Sequence, residues 1–445
     1  MREVVLCFIF LALISLPVDS ARALDPARAP GGNFDLSHWY LQLPTSGGVL
    51  TGTAGSVDSA SGSQLAAGFT NAYFHTATDG AMAFWVPDDG AKTSGSSHPR
   101  SELREELVPG NTGVNWTLYG THILTATCVV SNVPADTEKV CIGQIHEPDT
   151  KPNGTASTGN EQMIMFDLAS QTIYANINLD GNLSSSFSQT FISGPEVALG
   201  KPVNYTMAVF NGVLQIIVNN VTNSWNLFSG TNYNGHIAQN WDAASGNTVY
   251  FKAGDYDQTG DACGCSNDGA RVSFYSLNRY HAPSITNQPA GTNSLVGGNP
   301  SFSVAATGNG SLGYQWYFNG TIALAGATNF CLSLTNVQTA NAGNYTVVVT
   351  DFTGSVTSTV ASLTLGGSPP PVISSLKMPV GQGSLTLAAT GAASQAYVLL
   401  MASNLVPPVT WVPLLTNAAN PVGAISFTTP KLGNASHEYY RLALP

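Results

Sequence analysis

Charged side chains are concentrated in one short segment of this chain, His98 to Glu106, with the sequence HPRSELREE. Only 9% of all residues are charged, yet five of the seven positions that end this segment carry a charge. If the segment is a β-strand, alternate side chains share one face. That face then carries Arg100, Glu102, Arg104 and Glu106. Because guanidinium groups capture carboxylates through paired hydrogen bonds, the segment predicts an anion-binding face, with a solvated outer strand face as the alternative.

Two further segments place polar side chains at alternate positions of predicted strands. In GQIH, Gln144 and His146 share a face opposite Ile145. In YFKAGDYDQ, which begins at position 250, one face carries Tyr250, Lys252, Gly254 and Tyr256. The glycine leaves room for a ligand to approach the backbone. Each segment alone fits a structural role, since a histidine at a strand end, a sheet tyrosine and an extended lysine are all common. Together the three strands supply groups that bind an anion and move a proton.

The elements around these segments are predicted to be β-strands. Short runs rich in Val, Ile, Thr, Tyr and Phe alternate with turn residues, and the 445-residue chain contains 45 glycines and 25 prolines. Regular short strands separated by turns are typical of a β-sandwich or jelly roll. We therefore predict an all-β protein, in which a jelly-roll β-sandwich catalytic domain is followed by two smaller β-sandwich modules.

Four regions follow from the composition of the chain. An apolar run after Arg2, ended by an Ala-x-Ala cleavage pattern, predicts a signal peptide over residues 1–23 and a secreted, extracellular protein. The first globular domain is predicted over residues 24–281. Proline-containing linkers then separate a module over residues 284–366 from a C-terminal β module over residues 372–445, which we expect to be accessory.

The module over residues 284–366 resembles an immunoglobulin-like domain. Trp316 occupies the position of the tryptophan on the third strand, and Tyr345 lies in a Gly-x-Tyr-x-Val pattern typical of a tyrosine corner. The two positions of the usual inter-sheet disulfide are apolar here, so we expect that bridge to be absent.

Five cysteines remain once Cys7 leaves with the signal peptide. Cys128 and Cys141 flank a turn-like segment almost symmetrically, which predicts a disulfide across a β-hairpin in an oxidising compartment. The Cys263-Gly-Cys265 loop has no neighbouring histidine or cysteine, so we predict that no metal is bound there. The pairing of these two cysteines with Cys331 or with each other stays open.

The net charge of −11 limits the classes of partner. The chain has 15 basic and 26 acidic residues, and only three basic and two acidic residues follow His281. We therefore assign chemistry that depends on charged side chains to the first domain. Such a balance excludes a basic nucleic-acid-binding surface. No second apolar segment follows the signal region, so we expect no membrane partner, and we expect a monomer.

The segments HPRSELREE, QIH and YFKAGDYDQ, in this order, resemble the three signature motifs of polysaccharide lyase family 7, the jelly-roll alginate lyases. The resemblance covers residues 30–280 and includes NFDLSHWYLQLP near the start. Three positions differ from the family pattern. They are His98, where an aromatic tyrosine is expected, and Asp255 and Asp257, which replace apolar and asparagine positions.

The resemblance implies a secreted lyase that cleaves 4-linked uronans, alginate above all, by β-elimination without a metal or any cofactor. It assigns neutralisation of the substrate carboxylate to Arg100, Gln144 and His146, and proton donation to the leaving oxygen to Tyr256. Tyr256 can also be the base for mannuronate, and His146 the base for guluronate. Among the substrate-binding residues, Glu102 is expected to orient Arg100 and Arg104, while Arg104 and Lys252 hold neighbouring uronates. In the family, isoleucine at position 145 is associated with guluronate-containing blocks.

Three alternatives remain open from the sequence. A glycoside hydrolase needs two carboxylates at a defined separation, and the glutamates of the charged segment are interleaved with arginines instead. A non-catalytic carbohydrate-binding protein could use the same face. A lyase acting on another uronan, such as glucuronan, needs the same groups.

Overall fold

A computed structural model of the chain describes residues 23–148, 161–177, 189–193, 197–210, 212–226, 232–233, 236–237, 248–259, 267–366, 370–377, 384–392, 394–430 and 437–445. Residues 1–22 of the predicted signal peptide and the Cys263-Gly-Cys265 loop lie outside the described residues. The chain divides into two compact units, residues 1–282 with 352–354 and residues 283–351 with 355–445.

The first unit contains two large antiparallel β-sheets, with strands numbered here in chain order. The first sheet consists of β1 (Trp39–Gln42), β3 (Ser59–Ala60), β7 (Arg100–Glu105), β9 (Lys139–His146), β10 (Glu161–Asp167), β11 (Thr172–Ile177), β12 (Gln189–Ser193) and β18 (Tyr250–Asp257). Their order across the sheet is β12-β11-β10-β9-β18-β7-β1-β3. This sheet contains all three polar segments.

The second sheet consists of β4 (Phe74–Thr76), β5 (Met82–Pro87), β8 (Thr121–Asn132), β13 (Pro202–Phe210), β14 (Val213–Val218), β15 (Val221–Asn226) and β19 (Gly269–His281). Their order is β15-β14-β13-β8-β19-β5-β4. The described part of the unit also contains these short elements: β2 (Ala54–Gly55), β6 (Lys92–Thr93), β16 (Asn232–Tyr233), β17 (His236–Ile237), α1 (Pro30–Asn33) and α2 (Gly62–Ala66). No helix in the described part of the chain is long and apolar enough to cross a membrane.

The hydrophobic core of the unit lies between the two sheets. Leu103, Ile145 and Phe251 project into it from the first sheet, while Met207 and Phe274 project from the second. Strand alternation therefore turns the side chains next to these core residues to the opposite face of the first sheet. The prediction of an all-β sandwich is confirmed.

The second unit is also built of β-strands, and its hydrophobic residues form two separate clusters. The strands are β20 (Ser284–Asn287), β21 (Thr292–Leu295), β22 (Ser301–Ser303), β23 (Ala305–Thr307), β24 (Gly313–Phe318), β25 (Ile322–Ala323), β26 (Cys331–Ser333), β27 (Gly343–Asp351), β28 (Gly354–Thr357) and β29 (Ala361–Gly366), then β30 (Val372–Lys377), β31 (Ser384–Thr390), β32 (Ala396–Ala402), β33 (Val412–Ala418), β34 (Ala424–Pro430) and β35 (Tyr439–Ala443), with a 3-10 turn at Thr339–Asn341. In the first cluster Trp316 is fully buried, and the Tyr345 hydroxyl donates to the carbonyl of Asn341 at 2.7 Å.

The predicted hairpin between Cys128 and Cys141 is wrong. Cys128 lies on β8, which pairs with β13 and β19 in the second sheet, whereas Cys141 lies on β9, which pairs with β10 and β18 in the first. Cys128 belongs to the core between the sheets, while Cys141 packs with Met165 and Tyr256 in a separate cluster. The two thiols are not bonded to each other. The disulfide prediction fails because the connection at 133–138 crosses from one sheet to the other.

Candidate active site

The three polar segments form three adjacent strands, β9, β18 and β7, with β18 in the centre. Lys252 on β18 lies opposite Gln144 on β9 and Arg104 on β7. At one end of β18 Tyr250 pairs with His146, and at the other Tyr256 pairs with Arg100. The predicted convergence of the three segments is therefore present in the fold. We call the side chains that these strands turn away from the core the polar row.

Strand β7 contributes both to the polar row and to the core. Leu103 lies in the hydrophobic core, so Arg100, Glu102 and Arg104 project from the other face of the sheet. All six residues of the strand are nevertheless buried. The alternative of a solvated outer face is therefore wrong. Glu106 lies just past the strand, where its carboxylate accepts a hydrogen bond from the backbone N–H of Gly110.

Glu102 lies at the centre of the polar row, and it is only 1% exposed. Its carboxylate accepts from the Arg100 guanidinium and the Lys252 ammonium, each at 3.2 Å, and from the Gln144 amide. The Gln144 Oε1 atom has no hydrogen-bond partner among the residues that the structure describes. The row contains three cationic side chains, Arg100, Arg104 and Lys252, and one carboxylate, so its formal net charge is positive although the protein is acidic.

Arg104 is held differently from the prediction, which had Glu102 orient it. Its guanidinium donates to the carbonyls of Glu105 and Thr112 and to the side chain of Asn115. Its Cζ atom lies 3.8 Å from the centroid of the Tyr250 ring. Glu102 instead contacts Arg100, Lys252 and Gln144. Arg104 is thus fixed by two carbonyl oxygens, the Asn115 side chain and an aromatic face.

His146 lies at the end of the polar row beside Tyr250. The two rings are stacked with centroids 5.4 Å apart, and the Tyr250 hydroxyl lies 3.2 Å from His146 Nδ1. Nδ1 is also in hydrogen-bond contact with the carbonyl of Glu147, which requires a proton on Nδ1. In the neutral ring this tautomer makes Nε2 the nitrogen that accepts a proton, as a general base requires.

Two glycines in the motifs have packing reasons. A Cβ at Gly254 would lie 2.7 Å from the carbonyl oxygen of Ser101, and its φ is +153°, so the glycine allows β18 to approach β7. We predicted that Gly254 leaves room for a ligand, but the space is filled by the neighbouring strand. A Cβ at Gly143 would meet the hydroxyl of Tyr205 from the second sheet at 2.8 Å. Both glycines therefore shape the sheet.

Tyr256 has neighbours that the sequence did not indicate. The Ser96 hydroxyl lies 2.9 Å from the Tyr256 hydroxyl. The His98 ring meets the Tyr256 ring edge to face, with centroids 5.8 Å apart. The His98 Nδ1 is 2.7 Å from the carbonyl of Thr259, and burial lowers the pKa of this histidine. Ser96 was missed because it is one serine in a Gly/Ser-rich loop, 160 positions from Tyr256 in the chain.

A buried ionic cluster lies on the core side of β7, centred on Glu105. The carboxylate accepts from the Trp116 indole and the Arg279 guanidinium, and it contacts His281. Burial by itself raises the pKa of Glu105, but the charge and hydrogen bond of His281 and the charge of Arg279 lower it to about 2. Burial and the charge of His281 lower the pKa of His122 to about 4.

Two aspartates on β18, Asp255 and Asp257, are fully buried. Burial, the charge of Asp257 and the charge of Glu102 raise the pKa of Asp255 well above its ordinary value. Burial also raises the pKa of Asp257, to about 8. Burial thus disfavours the charged form of both carboxyl groups behind the polar row.

Comparison with known proteins places these features in context. The family model described as "Alginate lyase" matches residues 34–281. Comparison with curated proteins returns no match. Among solved structures, the family 7 alginate lyase A1-II′ in complex with its product GGG is 33% identical to this chain. The match covers 57% of this chain and 100% of that chain, with a TM-score of 0.48. An alginate lyase from Pseudomonas aeruginosa is 28% identical, with 56% and 99% covered and a TM-score of 0.45.

Proposed function

Since the chain belongs to the alginate lyase family, we propose that its polar row cleaves alginate by β-elimination without a metal. The reaction removes the proton on the carbon next to the uronate carboxylate and expels the glycosidic oxygen. It leaves an unsaturated uronate at the new non-reducing end. The proposal needs three things from the protein, which are neutralisation of the carboxylate, a base and an acid.

The observation that carries the proposal is the set of donors gathered around Glu102. An ionised carboxylate makes the neighbouring proton very weakly acidic, so the enzyme must pair that carboxylate before the proton can leave. Arg100, Lys252 and Gln144 all donate to one carboxylate in the row, which supports their suitability as partners for a second, incoming one. One preorganised donor of this kind contributes about 3–4 kcal/mol in the transition state.

Proton transfer is assigned to the two ends of β18. His146, with Nε2 as its accepting nitrogen, is proposed as the base for guluronate, and it also helps to pair the carboxylate. Tyr256 is proposed as the acid for the leaving oxygen, and as both base and acid for mannuronate. The register places these residues near opposite ends of β18 and on the same face of the sheet.

A preference for guluronate-containing blocks is part of the proposal, based on Ile145 in the second motif. Ile145 is 1% exposed and belongs to the core between the sheets. Its influence on the substrate must therefore pass through the placement of Gln144 and His146 on either side of it. Comparing initial rates on polyguluronate and polymannuronate tests this preference, and equal rates would contradict it.

The remaining proposals concern the rest of the chain. We propose secretion after removal of residues 1–23, which N-terminal sequencing of the exported protein tests. The fully buried Trp316 and the Tyr345–Asn341 hydrogen bond support an immunoglobulin-like assignment for residues 284–366. Residues 372–445 are proposed to be an accessory β module, and the protein to be a monomer.

The activity itself is tested by adding the full chain to alginate and following the ultraviolet absorbance of the unsaturated product. We expect absorbance to rise at the same rate with and without a metal chelator. A parallel sample with glucuronan distinguishes alginate from another uronan. Binding to alginate without any absorbance gain would instead support a non-catalytic carbohydrate-binding protein.

A further inference from the structure

Ser96 is a polar residue outside the three motifs whose side chain contacts Tyr256. The two hydroxyl oxygens are 2.9 Å apart, so one hydroxyl donates to the other. Ser96 is only partly buried, and it lies in the loop before β7. Its contact with Tyr256 therefore joins this loop to the proton donor proposed above.

The loop holds Ser96 in a defined orientation. The Ser96 Oγ atom accepts a hydrogen bond from the backbone N–H of His98 at 3.1 Å and lies 2.9 Å from the carbonyl of the same residue, to which it can donate. His98 in turn is tied to the carbonyl of Thr259, three positions after Tyr256. Serine, loop and tyrosine are thus connected in a closed ring of contacts.

The hydroxyl of Ser96 has one proton and two lone pairs. With its proton on the His98 carbonyl, it accepts from the His98 N–H and from the Tyr256 hydroxyl. If Tyr256 becomes a phenolate, the Ser96 proton can rotate toward it, because both acceptors lie 2.9 Å away. A hydrogen bond to a charged acceptor is stronger than one to a neutral carbonyl, so the rotation is favourable.

We propose that Ser96 is a positioning residue that stabilises the ionised form of Tyr256 during catalysis, by switching its hydroxyl proton from the His98 carbonyl to the tyrosine oxygen. The inference rests on the proposed lyase function and adds a residue to it.

The proton count of the step is balanced. His146 takes the proton of the carbon–hydrogen bond, whose electron pair forms the double bond, while Tyr256 gives its proton to the glycosidic oxygen as the carbon–oxygen bond breaks. Tyr256 is left as a phenolate, which accepts from Ser96 and lies beneath the Arg100 guanidinium. Water then carries the proton from His146 to the phenolate, which restores both groups, and Ser96 turns back to the His98 carbonyl.

The test compares Ser96→Ala and Ser96→Thr with wild-type full-length protein on alginate. We expect Ser96→Ala to lower kcat about 10-fold or more, the factor for one hydrogen bond to a charged group, while KM changes little. The limb of the pH–rate profile that reports ionisation of Tyr256 moves to higher pH by about one unit. Ser96→Thr keeps the hydroxyl and restores most of kcat and the wild-type pH profile.

Ser97→Ala is the matched control, since Ser97 is an exposed serine in the same loop, and it leaves kcat and the pH profile unchanged. Thermal melting of all variants verifies that they fold. Wild-type protein that forms no unsaturated product would reject the lyase function itself. Active wild-type protein with an unchanged pH profile and kcat in Ser96→Ala would reject the role of Ser96 alone.

Discussion

The guanidinium carbon of Arg100 lies 4.0 Å from the centroid of the Tyr256 ring, and the two residues are direct partners across β7 and β18. The same guanidinium donates to Glu102 at 3.2 Å. Arg100 thus links the carboxylate-pairing part of the site to the proposed proton donor. A planar guanidinium above the ring stabilises negative charge on the phenol oxygen. The ammonium of a lysine is a point charge and cannot stack on the ring in the same way.

Replacing Arg100 with lysine is expected to lower kcat/KM by about 10²–10³-fold, because a preorganised donor to the developing charge is lost. Initial rates of absorbance increase on alginate measure the effect. Arg271→Lys is the matched control, since Arg271 also stacks on an aromatic ring, that of Trp85, but is exposed and belongs to the second sheet. Equal activities of Arg100→Lys and wild type would contradict the role of Arg100.

The positions of Cys128 and Cys141 predict two reduced thiols that are not in disulfides. An alkylating reagent added to protein unfolded without a reductant should label both cysteines, as peptide mass spectrometry can show. In native protein Cys128 should react slowly, because burial raises the pKa of its thiol and blocks access. Labelling of either residue only after reduction would show that it forms a disulfide.

The Glu105 cluster predicts loss of stability in acid. The folded-state pKa of Glu105 is about 2 against an ordinary value of 4.5, so its stabilising contribution is complete above pH 4.5 and disappears as the pH falls toward 2. His122, with a pKa of about 4 against 6.5, acts in the same direction between those values, because only the unfolded state takes up a proton there. Glu105→Gln should therefore lower the free energy of unfolding by about 3 kcal/mol at neutral pH.

Denaturant unfolding of Glu105→Gln and wild type across this pH range measures the effect. The difference between them should shrink as the pH falls toward 2. Asp25→Asn is the control, since the salt bridge of Asp25 with Arg28 is about half exposed and contributes little. A difference between Glu105→Gln and wild type that stays constant with pH would reject the electrostatic explanation.

The sequence predicted those features that depend on strand alternation and on the three motifs. Arg100 and Glu102 share a face with Leu103 opposite, and Ile145 is buried between Gln144 and His146, because a side-chain period of two is a local property. The adjacency of the three strands followed from the order of the motifs, through the family resemblance.

Features that depend on long-range packing were not predictable in this way. The symmetric spacing around 133–138 suggested a hairpin, but β8 and β9 pair with strands far away in the chain and lie in different sheets. The close approach of Gly254 to Ser101 and the contact of Ser96 with Tyr256 likewise depend on how distant segments pack.

The central claim is that Tyr256 transfers the proton to the leaving oxygen, and removal of its hydroxyl tests it most directly. Tyr256→Phe should reduce the rate of unsaturated product formation from alginate by about 10²–10⁴-fold, while alginate binding is retained. Tyr275→Phe is the control, because Tyr275 lies on β19 in the second sheet and its hydroxyl donates to Asp79. This variant should leave the rate unchanged. A Tyr256→Phe variant that forms product at the wild-type rate would contradict the proposed mechanism.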